Sequence, residues 1–189
     1  DHDEAKRLVR DTFIGVTSFF RDEGAYHSLN ELIEQLVRER QGGDVIRCWV
    51  PACSSGEEVY SIAMLFEEAL KNQDKPSLQY VIFASDLDEA AIEQARSGLY
   101  PLHDFDQVPQ ALRDRYTMTL GDHCRIIKSI RNSIVFARQN VIGDPPFARM
   151  DLISCRNLLI YFTADTQKQV LQIFHYALRQ GGYLLLGKS

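Results

Sequence analysis

The sequence predicts an α/β fold in which a mostly parallel sheet is covered by helices on both faces. Three observations carry this. The chain has 189 residues with 45% hydrophobic and 25% charged content, enough to bury one substantial core. Apolar runs of strand length alternate with segments of helical period. The strand-like runs are nearly continuous in apolar residues, as expected of strands buried on both sides.

In chain order, the segment from about Glu4 to Phe20 places Leu8, Val9, Phe13, Val16 and Phe20 at helical spacing, and Leu29 to Arg38 continues in the same way. Gln41-Gly42-Gly43-Asp44 reads as a loop before a first strand at Val45 to Val50. Ser54-Ser55-Gly56-Glu57-Glu58 leads into a helix over Tyr60 to Leu70. A second strand, Tyr80 to Ala84, ends at Ser85-Asp86, and Glu89 to Arg96 is helical. Beyond Tyr100 the pattern loses regularity: a helix is predicted over Val108 to Tyr116, with strands at Cys124 to Ile127 and Ser133 to Ala137. Asp144-Pro145-Pro146-Phe147 forces a turn or extended loop. A buried strand at Asp151 to Cys155, a helix at Thr166 to Leu178 and a last strand at Tyr183 to Leu186 complete the order. The expected organisation is an N-terminal helical segment over 1–40 and a main domain over 44–189, with a small insertion at about 101–132.

The net charge of -5 and the lack of any Lys/Arg run argue against a polyanionic partner, because counterion release needs a basic face. Cys48, Cys53, Cys124 and Cys155 have neither CxxC nor Cys/His zinc spacing. They read as reduced thiols of a cytoplasmic protein, with no metal site. No apolar run approaches the roughly 20 residues of a membrane helix, and Asp1-His2-Asp3-Glu4 lacks the charge pattern of a signal peptide.

In parallel sheets, ligands bind beyond the carboxyl ends of the strands. The first predicted strand ends in Pro51-Ala52-Cys53-Ser54-Ser55-Gly56, small residues that let a ligand approach the backbone. Asp86 ends the second, like the acid that binds ribose hydroxyls in nucleotide folds. Arg138-Gln139-Asn140 and Cys155-Arg156-Asn157 end two later strands. Each element also has a structural reading. Ser54/Glu57 and Ser55/Glu58 have capping-box spacing, Asp86 can cap the helix at Glu89, and Asn140 and Asn157 can hold turns. Phe19, Phe20 and Tyr161 can be core aromatics. The convergence of polar residues on successive strand ends favours a nucleoside-like cofactor.

Thr17-Ser18-Phe19-Phe20-Arg21-Asp22, the run from Trp49 to Ser61, Ala84-Ser85-Asp86, the run from Cys155 to Phe162 and the run from Gly181 to Ser189 together resemble the signature blocks of CheR-type protein-glutamate O-methyltransferases. The blocks appear in family order over nearly the whole chain. Val50-Pro51 and Asp144-Pro145-Pro146-Phe147 make the wording most similar to the methyltransferase segment of fused methylesterase–methyltransferase sensory proteins. The resemblance implies a Rossmann-like S-adenosylmethionine-dependent methyltransferase fold with a short N-terminal helical segment and a small inserted β subdomain. It implies that Thr17 and Arg21 lie near the methionine part and the methyl group. Glu58 would bind the methionine end and Asp86 the ribose; Asn140, Val141, Arg156 and Asn157 would line the adenosine and methionine pocket. Arg21 and Tyr161 would steer the acceptor, a glutamate carboxylate on a chemoreceptor or related signalling protein.

The chain departs from the family pattern at Gly15, where an asparagine is common, and its helical segment before Thr17 is shorter than usual, as in a truncated domain. Around Thr119-Leu120-Gly121-Asp122-His123-Cys124 it lacks the glycine-rich loop of members that tether to a receptor-tail pentapeptide, so no tethering is expected. Asp144-Pro145-Pro146-Phe147 also resembles the motif of amino-methyltransferases acting on nucleic acid bases, but here it precedes the strand at Asp151 instead of following it. A non-catalytic S-adenosylmethionine-binding regulatory module is the alternative from a different class.

Overall fold

The computed structural model describes residues 17–187. Gly15 and most of the helix expected over Glu4 to Phe20 lie outside them. The elements are α1 (Glu23–Glu39), β1 (Val45–Pro51), α2 (Glu57–Asn72), β2 (Gln79–Asp86), α3 (Glu89–Ser97), β3 (Leu99–Pro101), a 3-10 turn (Leu102–Phe105), α4 (Gln110–Tyr116), β4 (Thr117–Leu120), β5 (His123–Ile126), α5 (Lys128–Asn132), β6 (Ile134–Arg138), β7 (Met150–Cys155), a 3-10 turn (Leu159–Tyr161), α6 (Ala164–Ala177) and β8 (Leu178–Leu186).

Five strands form one parallel sheet in the order β6-β2-β1-β7-β8. The chain winds outward from β1 through β2 to β6, then crosses back to β7 and β8, so the winding reverses between β1 and β7. In parallel sheets such a reversal is where ligands bind, beyond the carboxyl ends of the strands. Alternation along β1 explains the two faces: Ile46, Cys48 and Val50 join the core beneath α1 and α2, whereas Trp49 joins Phe174 and Val170 of α6 on the other side. The Trp49 ring meets Phe174 edge-on at 5.5 Å, and its indole N–H donates to Ser85 Oγ at 3.0 Å. A second, antiparallel sheet, β3-β5-β4, spans Leu99 to Ile126.

The structure corrects several boundaries. Residues 17–20 are not helical; Phe20 has φ 51°, and α1 begins at Glu23, before the expected Leu29. Strands β3 and β4 and the short helix α5 carry too few residues to show a period, which is why the pattern beyond Tyr100 was only partly legible. The last strand begins at Leu178, not Tyr183, because the chain re-enters the sheet through an irregularity at 179–182. Gly181 there has φ 75°, and a Cβ on Gly182 would stand 2.8 Å from the Met150 carbonyl oxygen.

Asp151, at the start of β7, anchors the opposite end of the sheet. Its buried carboxylate accepts from the Arg47 amide at 2.7 Å and pairs with Arg40, from the loop after α1, and with Arg179 of β8 at 2.5 Å. A cavity of about 670 Å³ lined by Glu67, Leu78, Tyr80 and Ser133 lies at this amino end too. It is therefore remote from the crevice that parallel sheets use for ligands.

Candidate functional site

The loop between β1 and α2 follows the central strand at its carboxyl end. Ala52, Ser54 and Gly56 have φ of 53°, 49° and 93°, three left-handed residues within five positions. Such conformations cost a non-glycine residue about 1–2 kcal/mol each and persist only where the surroundings impose them. Here Cys53 N donates to Ser85 O at 3.0 Å, Ser54 N to Asp86 Oδ2 at 2.8 Å, and Tyr100 Oη to Ser55 O at 2.6 Å. Gly56 is required twice over, by its φ and by space, since a Cβ would meet Ala95 Cβ at 2.8 Å.

These contacts revise the capping readings. The N-cap of α2 is Gly56 and makes no side-chain cap, while the Ser55 hydroxyl turns to both oxygens of Glu57 at 2.8 Å. Neither serine closes a capping box. The cap of α3 is Asp88, which accepts from the Ala90 amide at 2.9 Å, so Asp86 is not a helix cap. Asp86 takes the Ser54 amide on one oxygen and the Asp88 amide, at 2.9 Å, on the other. A carboxylate offers about four acceptor sites, so lone pairs remain for a hydroxyl ligand.

Glu58 is the centre of a second group. Its half-buried carboxylate accepts from Ser154 Oγ of β7 at 2.7 Å, and the guanidinium groups of Arg156 and Arg21 act on it. Burial raises its pKa, against the opposing pull of Ser154, Arg156 and Arg21. Arg156 Nη2 donates to the Arg21 carbonyl oxygen at 2.6 Å, and the guanidinium carbon lies 5.1 Å over the Tyr26 ring. This clasp ties the segment before α1 to the end of β7. Thr17 bonds the neighbouring carboxylate, Glu57, which is buried and likewise raised in pKa by burial. Burial, with Asp86 next in weight, holds the Cys53 thiol well above its ordinary pKa, and burial with Glu58 pushes Cys155 up to about 12. Neither thiol is a thiolate nucleophile at neutral pH.

The other expected residues stand on neighbouring strand ends. Asn140 is built into a turn: its Oδ1 accepts from the Ile142 amide at 3.0 Å and its amide donates to Asp144 Oδ2 at 2.7 Å. Val141 packs beside the Trp49 core, and the Phe147 ring of the Asp-Pro-Pro-Phe loop lies tilted against Phe83 at 4.7 Å. Asn157 is exposed with φ 59°, and Tyr161 is 43% exposed on the 3-10 turn after β7. The structure thus gathers Glu58, Arg21 and Arg156 at the β7 side of the crevice. Asp86 and Asn140 lie at the β2–β6 side, linked through the bond from Gln139 N to Asp86 O at 2.9 Å. The loop over 51–56 bridges the two.

Sequence reasoning passed over Ser154 and Tyr26, and named Gln139 only as part of a polar strand end. Ser154 is a fully buried hydroxyl inside an apolar strand, and that position was the available signal. Gln139 Nε2 donates to Pro145 O at 2.8 Å and fixes the Asp-Pro-Pro-Phe loop, a long-range role that no local pattern encodes.

Comparison with known proteins agrees with this architecture. A crystal structure of a putative O-methyltransferase from Nostoc punctiforme has the same fold, with TM-score 0.50 and 17% identity over 84% of this chain and 36% of that one. A chemotaxis protein methyltransferase of Listeria monocytogenes is 36% identical over 93% of this chain and 65% of its own length. An uncharacterised 104.1 kDa protein of Rhodobacter capsulatus is 42% identical over 100% of this chain, which spans 20% of that protein. This chain is thus shorter than either relative. The sequence model described as "CheR methyltransferase, SAM binding domain" matches residues 15–189, and the chain belongs to that family of S-adenosylmethionine-binding domains.

Proposed function

We propose that the domain transfers a methyl group from S-adenosylmethionine to glutamate carboxylates of a chemoreceptor or related signalling protein, giving a glutamyl methyl ester and S-adenosylhomocysteine. The observation that carries this reading is the Glu58 carboxylate, seated between Ser154 and two arginines beside a left-handed loop whose far side is fixed by Asp86. The residues fit the cofactor's groups: Glu58 an ammonium, Arg156 a carboxylate, Asp86 a ribose hydroxyl. Asn140, Val141 and Asn157 complete the nucleoside and methionine walls in this reading, and Thr17 and Arg21 lie near the methionine part and the methyl group.

When bound, the cofactor supplies a methyl group on a positively charged sulfur, which a carboxylate oxygen takes with its own electron pair while the sulfur keeps the pair of the broken bond. No general base is needed, because a glutamate is already ionised at neutral pH. The protein's task is therefore alignment. Arg21 suits it, since a guanidinium holds a carboxylate in a fixed fork, and the Tyr161 hydroxyl is the proposed second contact to the acceptor. The β4–β5 hairpin turns through Gly121-Asp122 alone, with Leu120 paired to His123. That tight turn supports a domain without receptor-tail tethering; saturable binding of a receptor C-terminal peptide would contradict it.

The test incubates the domain and a receptor signalling fragment with methyl-labelled cofactor and measures base-labile label, which distinguishes carboxyl esters from N-methyl groups. Arg21→Ala is expected to lose most turnover while keeping S-adenosylhomocysteine binding; unchanged turnover refutes its assignment. Cofactor binding without labelling of any acceptor favours a regulatory module.

A further inference from the structure

Tyr26, in the first turn of α1, is 5% exposed, and its hydroxyl is buried with no hydrogen-bond partner among the described residues. Its ring is well held, with Arg156 above it at 5.1 Å and the Phe20 ring beside it at 5.1 Å. A phenylalanine would keep both of those contacts and bury no unserved polar atom. Ser61, Arg156 and Glu58 lie close enough to act on the hydroxyl, but none meets it in hydrogen-bonding geometry. The first two also have other partners. Ser61 Oγ donates to Glu57 O at 2.8 Å and accepts from Phe20 N at 3.1 Å, and Arg156 Nη2 donates to Arg21 O at 2.6 Å. Glu58 accepts from Ser154. Burial, reinforced by Glu58, keeps the phenol protonated well above neutral pH, so it enters any complex as a donor.

A buried donor beside a cation, next to a carboxylate suited to an ammonium, matches the two charged groups of an α-amino acid. We propose that the Tyr26 hydroxyl donates a hydrogen bond to the carboxylate at the amino-acid end of the bound cofactor, alongside Arg156, making Tyr26 a binding residue of the site. This rests on the S-adenosylmethionine reading and adds to it a ligand contact from α1. It also explains why Arg156 is stacked on this ring: the aromatic face and the hydroxyl present one carboxylate site together.

Titration calorimetry of the parent and of Tyr26→Phe with S-adenosylhomocysteine and with 5′-methylthioadenosine, which lacks the amino-acid end, tests this. The variant is expected to bind S-adenosylhomocysteine at least about tenfold more weakly, as for loss of a hydrogen bond to a charged group, with unchanged affinity for methylthioadenosine. Unchanged affinity for S-adenosylhomocysteine overturns the inference. So does equal weakening toward both ligands, which marks a packing role. A parent that binds neither ligand overturns the cofactor reading itself, and the inference with it.

Discussion

At the scale of one residue, the binding role proposed for Glu58 works against stability. Its folded-state pKa is raised, chiefly by burial, so the folded protein takes up a proton at this group more readily than the unfolded chain does. Above both pKa values the buried charge costs stability, and that cost is lifted as pH falls through the raised folded value. In the proposed role cofactor binding runs the other way, because only the ionised carboxylate attracts an ammonium. Affinity for S-adenosylhomocysteine is therefore expected to fall on acidification at a pH above the ordinary glutamate range, while this group's contribution to stability improves. Glu58→Gln separates the two effects: thermal melting of the free protein is expected to stay level or rise, and calorimetry to show lost affinity. A destabilised variant with full affinity would mean that Glu58 is only structural. Asp86 was legible as a strand-end acid, but its alternative reading as a helix cap failed because Asp88, two residues on, takes that place.

Elements explain why the two ends of the sheet respond differently to mutation. Gly56→Ala forces a Cβ into a left-handed position against Ala95, which costs on the order of 3 kcal/mol from strain and overpacking together. For a domain of this size that lowers Tm by about 6–12 °C. It also displaces the loop over 51–56, so S-adenosylhomocysteine affinity should drop with it. Asp151→Ala removes the common acceptor of Arg40 and Arg179 and costs about 3 kcal/mol, at the low end for a buried pair because both arginines keep some solvent. Its melting temperature should fall by a similar amount, yet the folded variant should bind S-adenosylhomocysteine like the parent, since Asp151 lies at the amino end of β7. Calorimetry on both variants below their melting temperatures makes the comparison; equal affinity loss in both would show that the two ends are coupled.

At the scale of the molecule, the alternation of strands and helices and the placement of polar residues after each strand were readable because parallel strands bury both faces and leave chemistry to their carboxyl ends. The β3-β5-β4 sheet was less readable, since its strands are three or four residues long and take their pairing from distant partners such as Tyr100 and Cys124. The clasp of Arg156 on Tyr26 and Arg21 was unreadable, because it joins positions more than a hundred residues apart, and only the folded sheet brings them together. The central claim is that these strand ends form one cofactor site. It is tested most directly by titrating the parent domain and an Asp86→Ala variant with S-adenosylhomocysteine. Saturable binding by the parent that is lost in a variant with an unchanged fold is the predicted result; equal binding by both would contradict the assignment of Asp86, and no binding by the parent would contradict the site as a whole.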